Sequence, residues 1–197
     1  MSNPFDLTGR VAIVTGGSRG LGREMALAFA DHGAHVVIAS RKLENCEAVA
    51  DEVRAKGRRA LAFAYHAASW DDADRLAEAA YAEFGTVDIL VNNAGCGDYG
   101  RFQDVAWSRY QQTMTLNMMA LTELSHALVP GMVAKGSGQI VNIASTAAFQ
   151  PLPWMAVYAA TKSYVLSLSE AMAFELRGTG VQVLALCPGA TKTGFAS

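Results

Sequence analysis

VAIVTGGSRGLG, Val11 to Gly22, joins two kinds of order end to end. Val11 to Thr15 is a short apolar run rich in β-branched residues, as a fully buried strand requires. TGGSRGLG, Thr15 to Gly22, follows at once, and Leu21 to Asp31 then repeats its apolar residues with helical period. Glycines at 16, 20 and 22 let the chain turn sharply off the strand and bring backbone N–H groups close to an anion, with the positive end of a helix behind them. Gly16, Ser18, Arg19, Gly20, Leu21 and Gly22 are therefore candidate pyrophosphate ligands. A glycine loop after a first strand and before a first helix meets the context that this motif demands, and a purely structural turn is the competing reading.

The same alternation continues outward. His35 to Ser40, Arg59 to Tyr65, Ile89 to Asn92, Gln139 to Ile143 and Gln182 to Cys187 read as further buried strands. Leu43 to Lys56, Asp71 to Phe84, Trp107 to Ala134 and Val157 to Arg177 read as helices. Gly33, Gly57, Gly85, Gly136 and Gly178 each follow a helical run, where a residue at positive φ ends a helix. Ser69 with Asp72 suggests a capping box for the third helix. Strands and helices in strict alternation demand crossover connections, and hence a parallel sheet covered on both faces. The expected fold is α/β, a doubly wound Rossmann-like sheet of six strands in one domain over residues 1–197.

Composition narrows the partners. The chain is 51% hydrophobic and 17% charged, with a net charge of -2, so nucleic acid and anionic membrane surfaces are not expected to be its main partners. No apolar stretch is long enough to span a bilayer, and MSNPFDLTGR lacks the basic and apolar regions of a signal peptide, which points to a cytoplasmic location. Cys46, Cys96 and Cys187 have neither disulfide nor zinc spacing. No metal site is expected.

The end of the second strand sets the cofactor. An acidic residue there would hold the ribose 2′-hydroxyl of NAD, but the chain reads Ser40 and Arg41. Arg41 and Arg19 suit a 2′-phosphate from two sides, so NADP(H) is expected ahead of NAD(H); two solvated loop charges are the alternative.

YAATK, Tyr158 to Lys162, places a phenol and an ammonium at i and i+4 of a helix, where they share a face. Bringing a tyrosine from about 10 to about 7 takes roughly 4 kcal/mol. A positive charge at about 4 Å and an effective dielectric near 20 is worth roughly that much. The pair is a candidate proton switch.

NNAG at Asn92 to Gly95, Asn117 within the fourth helical run, Ser145 closing the fifth strand and PG at Pro188 and Gly189 complete the pattern. Gly16, Asn93 and Ser145 fall at the carboxyl ends of strands, where doubly wound sheets bind ligands. In motif order and spacing the whole chain resembles the short-chain dehydrogenase/reductase family in its single-domain branch. That resemblance implies an oxidoreductase moving hydride between a nicotinamide and a carbonyl or secondary alcohol. It implies Tyr158 as general acid and base, Lys162 lowering its pKa and bonding the nicotinamide ribose, Ser145 donating to the substrate oxygen, and Asn117 holding a water that links Lys162 to solvent. It places Asn93, Ala94 and Gly95 under the adenine-ribose side, and Pro188, Gly189 and Thr193 over the nicotinamide. It also implies a homodimer or homotetramer, through the helices at Trp107 to Ala134 and Val157 to Arg177. Sugar-nucleotide epimerases share the YxxxK pair, but with different glycine spacing and a longer substrate region. An NADP-binding or assembly module without turnover is the non-enzymatic alternative.

The chain also departs from the pattern. His66 stands where relatives carry an aspartate against the adenine amino group, and a neutral imidazole keeps one acceptor for that bond. The sequence stops at Ser197, short of the seventh strand and the substrate lid that relatives have, so the sixth strand is expected at an open sheet edge. Phe149, Leu152, Pro153, Trp154 and Met155, with Tyr99 and Phe102, suit either an apolar pocket wall or a subunit contact.

Overall fold

All five residues of Val11–Thr15 (β1) are buried, because layers of helices cover both faces of the strand. The computed structural model describes residues 5–67 and 71–189. After β1 come α1 (Gly20–Asp31), β2 (His35–Ser40), α2 (Leu43–Ala55), β3 (Ala60–Ala64), α3 (Asp72–Phe84) and β4 (Ile89–Asn92). There follow α4 (Trp107–Met114), a π-helical turn at Thr115–Met119, α5 (Ala120–Lys135), β5 (Gly138–Ile143), a 3-10 turn at Thr146–Phe149, α6 (Ala156–Glu175) and β6 (Val181–Leu186). The strands form one six-stranded sheet in the order β3-β2-β1-β4-β5-β6, and every pairing is parallel. The doubly wound α/β expectation holds.

Alternate residues divide the core. Val11, Ile13, Val37, Leu90 and Ile140 meet Leu76, Leu124, Leu128 and Met132 from α3 and α5 on one face. Ala12, Val14, Val36, Ile38 and Val91 meet Ala26, Ala30, Val49 and Val53 from α1 and α2 on the other. The reversal of strand order between β1 and β4 opens the crevice at their carboxyl ends.

One local expectation changes. One helix over Trp107 to Ala134 is instead α4, a π turn and α5, with Asn117 buried inside the π turn. Such a turn inserts a residue into the helical ladder and is frequent at functional sites. Ser69 lies outside the described residues, and α3 begins after Asp71, whose side chain makes no capping bond. The Asp72 carboxylate accepts instead from the His66 backbone N–H at 2.8 Å and from Arg75 at 2.9 Å. Gly85 and Gly136 end α3 and α5 at φ 76° and 72°, the left-handed closure that glycine favours.

Candidate functional site

The glycine loop leaves β1 with Gly16 at φ 64° and enters α1 with Gly20 at φ 55°. Arg19 precedes α1 without a side-chain capping bond, and the first turn holds no acid. Its leading N–H groups and positive dipole end therefore suit an anion, which is the fit that a dinucleotide pyrophosphate requires. A Cβ on Gly16 would approach Asn93 Nδ2 to 2.9 Å, so the loop lies directly on the end of β4. Asn93 makes that junction: its Nδ2 donates to the Thr15 carbonyl at 2.9 Å, and its backbone N–H donates to Thr15 Oγ1 at 3.0 Å. Ala94 N–H reaches the same hydroxyl at 3.1 Å. Ser18 donates to Ser40 at 2.9 Å and ties the loop to the end of β2. Arg19 and Arg41 are exposed on either side of that tie, and neither enters an ion pair among the described residues. His66, two residues past the end of β3, is exposed.

Across the crevice, α6 carries Tyr158 and Lys162. Lys162 is only 5% exposed, and its ammonium donates to the Ile143 carbonyl at the end of β5 at 2.7 Å. Burial pulls its pKa down to about 8, while the Cys96 and Cys187 thiols nearby act in the opposite direction. At pH 7 it is still roughly nine-tenths protonated. The ammonium lies 5.8 Å from the centre of the Tyr158 ring.

Ser145 leaves β5 and heads the 3-10 turn, where its Oγ accepts from the Ala147 N–H at 3.1 Å. It is thus the strand-end cap, and that bond uses its oxygen and not its proton, so the hydroxyl remains able to donate. Pro188 lies alongside, its carbonyl accepting from Thr146 N–H at 3.1 Å. Gly189 closes the described chain, and Thr193 lies outside the described residues.

Asn117 is 1% exposed. Its Oδ1 accepts from the Cys96 N–H at 3.0 Å, and its Nδ2 donates to the Cys96 carbonyl and to Thr161 Oγ1, both at 2.9 Å. Both amide protons are spent on protein, so the side chain has none to give the water expected beside Lys162. Asn92 has a structural task, donating to Ser125 at 3.0 Å and to Asn142 on β5 at 2.9 Å.

Some neighbours gave no sequence signal. Thr161, an ordinary helical threonine by its surroundings in sequence, joins Asn117 to the Tyr158 carbonyl, to which it donates at 2.7 Å. Gly97 lies against the Tyr158 ring, and a Cβ there would fall 2.7 Å from Cδ2. Trp154 adopts φ 62°, a strained setting for a bulky residue, and its carbonyl accepts from Gly100 N–H at 2.8 Å. Its ring stacks with Tyr99 at 6.4 Å between centroids, joining the two loops that flank Tyr158. Tyr99, Trp154, Phe102 and Phe149 are all exposed. A hollow of about 430 Å³ on α3 and α5, lined by Asp74, Ala77, Glu78, Tyr81 and Ala127, shares no residue with this cluster. The glycine loop, Ser145 and the Lys162 anchor lie instead at the carboxyl ends of β1 and β5. No helix among the described residues is long and apolar enough to cross a membrane.

Comparison with known proteins identifies what such a crevice is similar to. A family profile described as short chain dehydrogenase matches residues 10–197. The ketoacyl reductase HetN of Nostoc sp. is 36% identical over 190 residues, which are 96% of this chain and 66% of that protein. The short chain dehydrogenase MYCFIDRAFT_6125 of Pseudocercospora fijiensis is 35% identical over 193 residues, which are 95% of this chain and 61% of that protein, so the chain spans about two thirds of the length of these relatives. Among solved structures, the L-sorbose reductase of Gluconobacter frateurii with NADPH and L-sorbose superposes with a TM-score of 0.92 at 35% identity, covering 98% of this chain and 73% of that one. The 3-ketoacyl-(acyl-carrier-protein) reductase of Brucella melitensis with NADH gives 0.91 at 37% identity, covering 96% and 79%.

Proposed function

The chain belongs to the short-chain dehydrogenase family, and on that footing we propose that it is an NADP(H)-dependent oxidoreductase interconverting a carbonyl and a secondary alcohol. The observation that carries this reading is Lys162, a nearly buried ammonium anchored to the end of β5 and facing the Tyr158 ring at 5.8 Å. A buried charge is costly and persists where something uses it.

The Gly16 to Gly22 loop would hold the pyrophosphate at the N-terminus of α1. Arg19 and Arg41 would pair with a 2′-phosphate, which supports NADP(H) over NAD(H) because Ser40 offers no carboxylate to a 2′-hydroxyl. His66 and Ala94 with Gly95 would line the adenine side, Asn93 bracing the loop beneath, and Pro188 with Gly189 the nicotinamide side; Thr193 belongs to the same expectation. A nicotinamide bound there supplies or receives the hydride at the substrate carbon. As the carbonyl oxygen gains charge, Tyr158 gives it the phenolic proton and Ser145 donates a second hydrogen bond. Lys162 stabilises the phenolate that results. In the reverse direction the phenolate takes the proton back.

Exposed Trp107, Met119 and Tyr164 on α4, the π turn and α6 support association of like chains through these helices as a dimer or tetramer. The function is tested by following NADPH oxidation with a panel of ketones, aldehydes and diketones. Turnover is expected, and Tyr158→Phe should lower it by about 10³-fold while NADPH still binds. An equally active Tyr158→Phe protein would refute the mechanism, and cofactor binding with no turnover of any substrate would return the binding-module reading.

A further inference from the structure

The polar contacts behind Tyr158 form a closed circuit. Asn117 grips Cys96 by both its N–H and its carbonyl, and donates its remaining amide proton to Thr161. A hydroxyl has a single proton, and Thr161 gives it to the Tyr158 carbonyl. Gly97, the next residue after Cys96, then presses on the other side of the same tyrosine. A Cβ at Gly97 would stand 2.7, 3.0 and 3.3 Å from Cδ2, Cγ and Cβ of Tyr158. The circuit runs from the Tyr158 backbone through Thr161, Asn117 and Cys96 to Gly97, and back to the Tyr158 ring. Its two polar side chains are each 1% exposed, so no water substitutes for a lost partner.

Each link has one direction. Asn117 has no amide proton left over, and the bond it donates fixes Thr161 as its acceptor. A threonine bonding the carbonyl three residues back is ordinary in a helix. One that also receives a buried amide from a π turn is not explained by helix chemistry alone. The π turn at Thr115–Met119 is what turns the Asn117 carboxamide toward both segments at once.

We infer that Thr161 is a positioning residue for Tyr158: its hydroxyl joins the Asn117 carboxamide to the helical turn bearing the phenol, and so holds the loop at Cys96 and Gly97 against the phenol's ring. This rests on the oxidoreductase reading for its effect on turnover, and on the contacts alone for its effect on the tyrosine. Thr161→Val keeps the shape and removes both hydrogen bonds, leaving a buried amide proton unpaired; Thr161→Ser keeps the hydroxyl.

Two readouts test it. In steady-state kinetics Thr161→Val should lower kcat by about 10- to 100-fold, with KM for NADPH within about twofold of the parent, while Thr161→Ser stays within about threefold in kcat. In protein labelled with 13C at tyrosine Cζ, with the Tyr158 signal assigned by its loss in Tyr158→Phe, the phenol's titration midpoint should move in the valine variant and not in the serine variant. A valine variant with parental kcat and parental titration overturns the assignment, as does a serine variant as impaired as valine. Failure of the parent to turn over any substrate defeats the proposed function alone, because the tyrosine titration still decides the positioning role.

Discussion

β1 and β6 are built from nearly the same residues, VAIVT against VQVLAL, yet every side chain of β1 is buried, while Gln182, Leu184 and Leu186 of β6 are exposed. Position in the sheet makes the difference. β1 lies between β2 and β4 under helices on both faces, whereas β6 is an edge among the described strands and pairs with β5 alone. α6 covers one face of β6, and the layer of α1 and α2 does not extend to the other. The two halves of the site inherit this contrast. The glycine loop rides on the most enclosed strand and is shaped by backbone geometry. Ser145 and the Lys162 anchor ride on β5, beside the edge, and depend on side-chain bonds for their order.

The largest expected effect breaks the catalytic half and spares the other. Lys162→Met should reduce turnover at least about 10³-fold with the protein still folded and NADPH still bound at the loop. The same variant has a signature in stability. Burial lowers the ammonium's pKa to about 8 from the ordinary 10.5, so between those values the unfolded chain holds a proton that the folded chain has released. The folded state therefore gains stability as pH climbs from about 8 to about 10.5, by an amount on the order of 3 kcal/mol, and gains none from this group below that window. Subtracting the Lys162→Met profile from the parental one in urea unfolding should isolate that rise, since the other titrating groups are common to both. Parallel profiles would mean that the lysine is not desolvated.

A smaller effect belongs to the cofactor half. Arg41→Asp places a carboxylate where a 2′-phosphate would lie and where a ribose 2′-hydroxyl would welcome it. The ratio of kcat/KM for NADPH to that for NADH should fall by about 10- to 100-fold, with kcat at saturation little changed. An equal change for both cofactors would show that Arg41 reads neither, and would leave Arg19 as the arginine to test.

Legibility follows the same division. A backbone requirement is written in the sequence as glycine: Gly16 and Gly20 stand at positive φ, and the switch point between β1 and β4 follows from the alternation of runs. Tyr158 and Lys162 lie on one helix at the spacing read from the sequence, and Ser145 stands just past the end of β5 as its place in the sequence suggests. The π turn did not, because the apolar period from Trp107 to Ala134 is unbroken and the interruption is held in place by Cys96 and Thr161, which are distant in sequence. Thr161 and Gly97 were silent for the same reason, since their partners are assembled only by the fold. Half of the Ser69 and Asp72 pattern lies outside the described residues, and the Asp72 carboxylate accepts from the His66 N–H and from Arg75.

The smallest predicted effect returns to the two strands. Ile13 is fully buried in β1, so Ile13→Val removes one methylene from a filled core and should cost about 1 kcal/mol in urea unfolding. Leu184 sits opposite Val141 on β6 with 57% of its surface exposed, and Leu184→Val deletes a group that water already reaches. Its cost should stay within about 0.5 kcal/mol, and the greater strand preference of valine pushes the other way. Both changes remove one methylene, so the difference between the two costs measures enclosure together with the strand preference that Leu184→Val gains. A Leu184→Val penalty as large as that of Ile13→Val would mean that this face of β6 is covered in solution. In that case the contrast between the strands belongs to the single chain and not to the form in which it works.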